Sequence, residues 1–184
     1  MESKQAKLVE KIKPIRLLLM DVDGTLSDGK LTYSNEWVET KSFDVKDGFG
    51  IWMLHHCGIK TGIVTGRESK IVTERAKELN IEIVYQGHFH KNETLDDIEA
   101  KYGYQDQEVA FLGDDLFDLP IMIRCGFSAA PADAHPEVLQ RVDFVSSLSG
   151  GRGAAREVCE LILKAQGHWD SLMDLFLMKN KSQV

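Results

Sequence analysis

The chain opens on a charged, helix-permissive segment, residues 2–13, that Pro14 interrupts; the pattern predicts a short helix or a loose arm. Leu17-Leu18-Leu19-Met20 then runs without a polar residue and stops at Asp21-Val22-Asp23-Gly24. A short apolar run bounded by turn residues reads as a strand buried on both faces of a parallel sheet. Ser27-Asp28-Gly29 signals a turn, after which residues 30–34 and 38–45 alternate apolar and polar around Ser34-Asn35-Glu36. That alternation predicts a β-hairpin inserted at about 30–46, closed by Lys46-Asp47-Gly48 and followed by an apolar-periodic helix at 49–57.

Beyond the hairpin, strands are expected at 59–64, 81–85, 109–112, 127–130 and 144–145. Helices are expected between them at 68–79, 92–102, 119–124 and 136–141, and at the end at 154–165 and 169–178. Residues 146–153 are rich in Ser and Gly, and 179–184 are expected to fray. Strands alternating with helices predict an α/β fold, doubly wound and Rossmann-like, with a mostly parallel sheet and helices on both faces. No repeat or low-complexity linker divides the chain. Residues 1–184 therefore read as one domain, with a C-terminal tail at about 146–184.

Composition narrows the function classes. The 184 residues are 43% hydrophobic and 28% charged, enough to build an ordinary soluble core. A net charge of −7 argues against a general nucleic-acid binder and offers nothing to an anionic membrane. An anionic substrate would then depend on a bound cation and a few placed Lys or Arg side chains. Cys57, Cys125 and Cys159 are odd in number and form no Cys-x-x-Cys pair, as expected of reduced thiols in a cytoplasmic protein. The apolar run between Arg16 and Asp21 is four residues long, too short for a membrane span or a signal-peptide core.

The candidate chemistry lies just after the strands. Asp21 and Asp23, two residues apart in extended backbone, point to one side, beyond the strand end where parallel sheets bind ligands. Two carboxylates held together require a proton or a cation between them; taken alone, they also fit a solvated Asp-rich turn. Thr65, Lys91 and Asp114-Asp115 follow other strands, and parallel strands bring all these ends to one edge. A carboxylate can attack phosphorus to form an aspartyl-phosphate, so Asp21 is the candidate nucleophile. Asp23 would protonate the leaving alcohol and then deprotonate water. Asp114, with Asp21 and a backbone carbonyl at Asp23, would hold Mg²⁺ through oxygen. Thr65 would supply a hydroxyl and Lys91 a point charge to the phosphoryl oxygens. Alternatives stand beside each: Thr65 as a helix cap, Lys91 as a solvated helix-start residue, and Asp114, Asp115 and Asp118 as first-turn acids. His55-His56 and His88 with His90 fall on different elements, and Mg²⁺ prefers oxygen, so no histidine metal site is expected.

These residues resemble the four signature motifs of the haloacid dehalogenase superfamily, in the family's order. They are Asp21-Val22-Asp23-Gly24-Thr25, Thr65, Lys91 and Gly113-Asp114-Asp115-Leu116-Phe117-Asp118. The short intervals between them leave no room for a cap domain. The stretches 41–51 and 150–159, the latter opening Gly150-Gly151-Arg152-Gly153, with Thr65-Gly66-Arg67 and Gln86-Gly87, resemble a capless branch of that superfamily. Gly24-Thr25 is the wider superfamily's form where this branch often has Gly-Val.

The resemblance implies a Mg²⁺-dependent homotetramer that hydrolyses a phosphorylated sugar acid, 3-deoxy-D-manno-octulosonate 8-phosphate first, in lipopolysaccharide precursor synthesis. It implies a substrate pocket lined by Asp23, Asp44, Val45, Lys46, Asp47, Gly48, Gly66, Arg67, Arg75, Lys91 and Arg152. A neighbouring subunit would replace the missing cap. Gly150 to Gly153 would bring backbone amides and Arg152 to an anion at a helix start. Other readings are a phosphatase of a nine-carbon sialic-type sugar 9-phosphate, a non-catalytic assembly domain, and a signalling receiver. Receivers lack the Asp-x-Asp-Gly turn and the glycine-rich tail.

Overall fold

A computed structural model describes residues 4–177. The expected fraying of 179–184, and the ends of the first and last expected helices at residues 2–3 and 178, lie outside the described residues. Helix α1 (Lys4–Ile12) leads into strand β1 (Leu17–Met20). A two-residue pair, β2 (Thr32–Tyr33) and β3 (Glu39–Thr40), precedes α2 (Val45–His56) and β4 (Lys60–Thr65). Then come α3 (Lys70–Glu78), β5 (Ile83–Gln86), α4 (Lys91–Tyr102) and β6 (Val109–Leu112). After β6 follow α5 (Leu119–Arg124), β7 (Phe127–Ala130), α6 (Pro136–Leu139), β8 (Phe144–Val145), α7 (Ala154–Ala165) and α8 (Trp169–Phe176).

Six strands form one sheet in the order β5-β4-β1-β6-β7-β8, every pair parallel. The chain builds outward from β1 through β4 to β5, then returns to β6 on the other side of β1. That reversal creates the crevice in which doubly wound sheets bind ligands. β1 has partners on both sides, Leu17 facing Lys60 in β4 and Val109 in β6. Its all-apolar sequence follows from burial on both faces: Leu18 and Met20 enter one core layer, Leu17 and Leu19 the other. Each such side chain, fully withdrawn from water, contributes about 2 kcal/mol. No cap domain interrupts the sheet among the described residues.

The hairpin is shorter than its alternation predicts. Only Thr32 with Thr40 and Tyr33 with Glu39 pair, around a turn in which Trp37 takes φ 60°. Residues 41–44 leave the ladder, because Asp44 starts a helix instead of ending a strand. Its carboxylate accepts the Lys46 N–H at 2.7 Å in an N-cap. Lys46-Asp47-Gly48 is thus the first turn of α2, which begins four residues before the expected 49. Alternation through 38–45 was compatible with a strand, and the cap overrode it. Helix α2 packs closely on α7: a Cβ on Gly50 would lie 3.2 Å from the Arg156 Cα. Among the described residues no helix is long and apolar enough to cross a membrane.

Candidate active site

The ends of β1, β4 and β6 and the start of α4 converge, as the topology requires. Asp21 extends the β1–β6 ladder by one step, its N–H donating to the Leu112 carbonyl at 2.9 Å. Past it the chain winds around one carbonyl: the N–H groups of Thr25, Leu26 and Ser27 all donate to Val22 O at 2.9–3.2 Å. This tight loop brings Gly24 against Asp114. A Cβ on Gly24, where φ is +96°, would lie 2.1 Å from Asp114 Oδ2, so the glycine is required for space and for conformation. Thr25 Oγ1 donates to Asp114 Oδ1 at 2.9 Å.

Lys91, 1% exposed, is the electrostatic centre. Its Nζ lies 2.9 Å from Asp21 Oδ1 and donates to Asp118 Oδ1. Asp118 Oδ2 accepts the N–H groups of Asp114 and Asp115 at 2.9 and 3.1 Å. Both Asp118 oxygens are therefore engaged in fixing Lys91 and the loop after β6. Burial opposes the Lys91 charge, but Asp21 and Asp118 outweigh it and hold the ammonium above its ordinary pKa. Burial pushes the Asp21 carboxyl up to about 6, against the pull of Lys91 and with the repulsion of Asp118. Asp114 is pushed up to about 7 by burial, then by Asp21 and Asp118.

One oxygen each of Asp21, Asp114 and Asp118 lies within 4.8 Å of the others. Asp21 Oδ1 has no aligned hydrogen-bond donor despite the nearby ammonium. Carboxylates gathered in a buried place, Asp21 and Asp114 raised by burial and then by their neighbours' charge, with an unsatisfied oxygen among them, fit a hard divalent cation. Asp21 and Asp114 are the side chains free to hold it. Among the described residues no histidine joins such a cluster; His55 Nε2 lies 2.7 Å from Thr61 Oγ1 and His88 Nδ1 3.2 Å from Thr94 Oγ1.

Other expected site residues fall into three groups. Thr65, buried, ends β4, and Gly66 and Arg67 follow it; a Cβ on Gly66 would press on the exposed Phe89 ring at 3.1 Å. Gln86 supports this loop, accepting the Ser69 N–H at 2.8 Å. Asp44, Asp47, Gly48 and Arg75 instead border a crevice between α2 and α3 with only about 10 Å³ of free volume. Gly48 lacks a Cβ that would meet Arg75 Nη2 at 2.6 Å. Arg75 lies over the Phe43 ring and pairs with Glu78 at 2.8 Å, its buried Nε without a partner. Val45 and Lys46 are exposed at the start of α2.

The third group is the glycine-rich tail. A Cβ on Gly150 would lie 1.8 Å from the Gly24 carbonyl oxygen, and the Gly151 N–H donates to Thr25 O at 2.9 Å. Gly150-Gly151 thus lies directly on the Asp21–Thr25 loop, with Arg152 exposed beside it. The helix start that follows is not open to an anion as expected. Asp47 caps it, accepting the N–H groups of Gly153 at 3.3 Å and Arg156 at 2.7 Å. Burial raises the Asp47 carboxyl to about 6.

A charged group at the hairpin base escaped the sequence reading. Lys41, its side chain 1% exposed, donates to Asp23 Oδ1 and lies 3.7 Å from Glu39 Oε1. Arg67 reaches Asp23 Oδ2 at 3.8 Å, Glu39 Oε1 at 3.1 Å and the Tyr33 hydroxyl at 3.0 Å. The available signal was Glu39 and Lys41, two residues apart within the strand expected at 38–45.

This geometry has close relatives. A model of haloacid dehalogenase-like hydrolases matches residues 73–157. The 3-deoxy-D-manno-octulosonate 8-phosphate phosphatase KdsC of Escherichia coli K12 is 45% identical over 165 residues, 90% of this chain and 88% of that protein. The crystal structure of the Yersinia pestis phosphatase of that name superposes with a TM-score of 0.87 at 43% identity, covering 89% of this chain and 88% of its own. The Moraxella catarrhalis phosphatase, solved with magnesium, phosphate and KDO, gives 0.90 at 42% identity over 92% and 98% of the two chains. The chain belongs to the haloacid dehalogenase-like hydrolases, among the 3-deoxy-D-manno-octulosonate 8-phosphate phosphatases.

Proposed function

We propose that this chain is a Mg²⁺-dependent phosphatase that converts 3-deoxy-D-manno-octulosonate 8-phosphate to the free sugar acid and phosphate, a step of lipopolysaccharide precursor synthesis. The observation that carries the mechanism is the buried Lys91 between Asp21 and Asp118, with Asp114 beside them. Asp21 attacks phosphorus, and an aspartyl-phosphate bond forms as the ester P–O bond breaks. Asp23 gives its proton to the departing sugar oxygen, then takes one from the water that hydrolyses the intermediate. Lys91 and the Thr65 hydroxyl face the phosphoryl oxygens. Asp21 and Asp114, with the Asp23 backbone carbonyl, would hold a Mg²⁺ ion, which would supply positive charge to those oxygens.

Arg67, Gly66, Arg75, Arg152, Asp44, Val45, Lys46 and Gly48 are assigned to the sugar acid, with Asp47 holding their turn to α7. Arg75 with its unpartnered Nε and the exposed Arg152 are cations suited to its carboxylate. The working form is a homotetramer in the cytoplasm. In support, Leu31, Trp37 and Val38 on the hairpin are 51–80% exposed, apolar surface that a partner subunit would cover. Cys57, Cys125 and Cys159 are free thiols, consistent with a reducing compartment.

The test is phosphate release from a panel of keto-acid sugar phosphates, with Mg²⁺ and with EDTA. The eight-carbon 8-phosphate should exceed nine-carbon sugar 9-phosphates by at least about tenfold in kcat/KM, a difference of roughly 1.4 kcal/mol. EDTA should abolish turnover of both. A preference for the nine-carbon substrate would overturn the assignment of the sugar.

A further inference from the structure

Asp23, Glu39, Lys41 and Arg67 form a closed group of two carboxylates and two cations. They come from three separate segments: the loop after β1, the hairpin, and the loop after β4. Lys41 is the least exposed of the four, its side chain 1% exposed against 19% for Asp23, 17% for Glu39 and 35% for Arg67. A lysine is withdrawn from water this fully only when it is paired. Here its ammonium is held by Asp23 Oδ1, which also accepts from Ser27 Oγ at 3.3 Å. Glu39 is anchored in turn, receiving Arg67 Nη2 at 3.1 Å and Ser69 Oγ at 2.7 Å. Were Lys41 to swing away, the two carboxylates would be left to share Arg67 alone.

We propose that Lys41 is a positioning residue for the acid–base step, acting through Asp23 and not on the phosphoryl group. This rests on the assignment of Asp23 as the proton donor and acceptor. Lys91, not Lys41, neighbours Asp21 and Asp118, so the two buried lysines divide the work: one at the nucleophile, one at the acid–base residue. Lys41 fixes the Asp23 carboxyl against the loop wall, so that its proton is delivered to the sugar oxygen as the ester bond breaks. A carboxyl free to rotate would present that proton in only part of its rotamers, and general acid catalysis depends on such placement. The hairpin gains a second role, since its base carries the side chain that sets the acid.

Leaving-group dependence separates this role from a structural one. An alkyl sugar phosphate needs a proton on its departing oxygen, whereas p-nitrophenyl phosphate expels a stable phenolate without one. In kcat/KM, which reports formation of the aspartyl-phosphate, Lys41→Met should lose about 10²-fold on the sugar phosphate and less than about threefold on the aryl ester. Lys41→Arg should recover most of the loss. Because Lys41→Met leaves two half-buried carboxylates under-compensated, Lys41→Met/Glu39→Gln, which removes one charge of each sign, is measured beside it and should show the same split. Equal losses on both substrates, or no loss on either, in the folded double variant would overturn the proposal. Asp23→Asn serves as the reference: it should show the same split more strongly. If it shows none, the assignment of Asp23 is wrong and the proposal falls with it; if it alone shows the split, only Lys41's role is refuted.

Discussion

Asp21→Asn is expected to reduce phosphate release by about 10³-fold or more while leaving the fold intact. The amide keeps the shape of the carboxylate but cannot form the acyl phosphate, and no other carboxylate occupies its position at the end of β1. The neighbouring Asp114 is held by Thr25 and Asp118 by Lys91 and two backbone N–H groups, so neither is free to replace it. The stability change has a definite sign. In the metal-free protein the Asp21 carboxyl is raised to about 6 by burial. Its ionisation therefore favours the unfolded chain at neutral pH, a cost that appears as pH rises above the unfolded value near 4. A neutral asparagine removes it, so the metal-free melting temperature at pH 7.5 should hold or rise. Turnover within about tenfold of wild type would exclude Asp21 as nucleophile.

Lys91→Met should be as damaging to activity and should also weaken the fold. The ammonium is the cation within ion-pair distance of Asp21 and Asp118, with all three side chains 10% exposed or less. Its aliphatic chain and Nζ also lie against the core, the Nζ 5.5 Å from the centre of the Phe111 ring. Methionine fills the volume but leaves the carboxylates facing one another without their cation. Breaking a buried pair on one side costs about 3–5 kcal/mol, which should appear as a lower urea midpoint without metal. Added Mg²⁺ should restore part of that stability, because it replaces the lost positive charge and binds only the folded state. A midpoint equal to wild type in EDTA would show that Lys91 does not compensate these carboxylates.

The sheet was legible because its strands state their burial in composition: Leu17-Leu18-Leu19-Met20 and Val109-Ala110-Phe111-Leu112 lie buried in the centre of the sheet. The candidate site was legible for the same reason, since Thr65 ends, and Asp21 and Asp114 follow, strands that topology must align. Less legible was what each polar residue does once there. Asp47 falls in the stretch 44–48 that the family resemblance assigns to the pocket, and its carboxylate caps α7 from 106 residues away in sequence, at Gly153. Asp118, placed by the motif and alternatively a first-turn acid, holds Lys91 and the N–H groups of Asp114 and Asp115. Glu39 opens the two-residue β3 and Lys41 lies just past it; both are brought out of water beside Arg67, which arrives from another loop. Long-range pairing of this kind leaves no local period, so hydrophobic pattern finds the scaffold and misses the charges that lock it.

The most direct test is a crystal structure grown with MgCl₂ and beryllium trifluoride, a mimic of the acyl phosphate. Beryllium bonded to an Asp21 carboxylate oxygen is the expected result, with fluorines near Lys91 Nζ and the Thr65 hydroxyl and a metal ion joining Asp21 to Asp114. Beryllium on Asp23 or Asp114, or an Asp21 left bare while the mimic binds elsewhere, would contradict it.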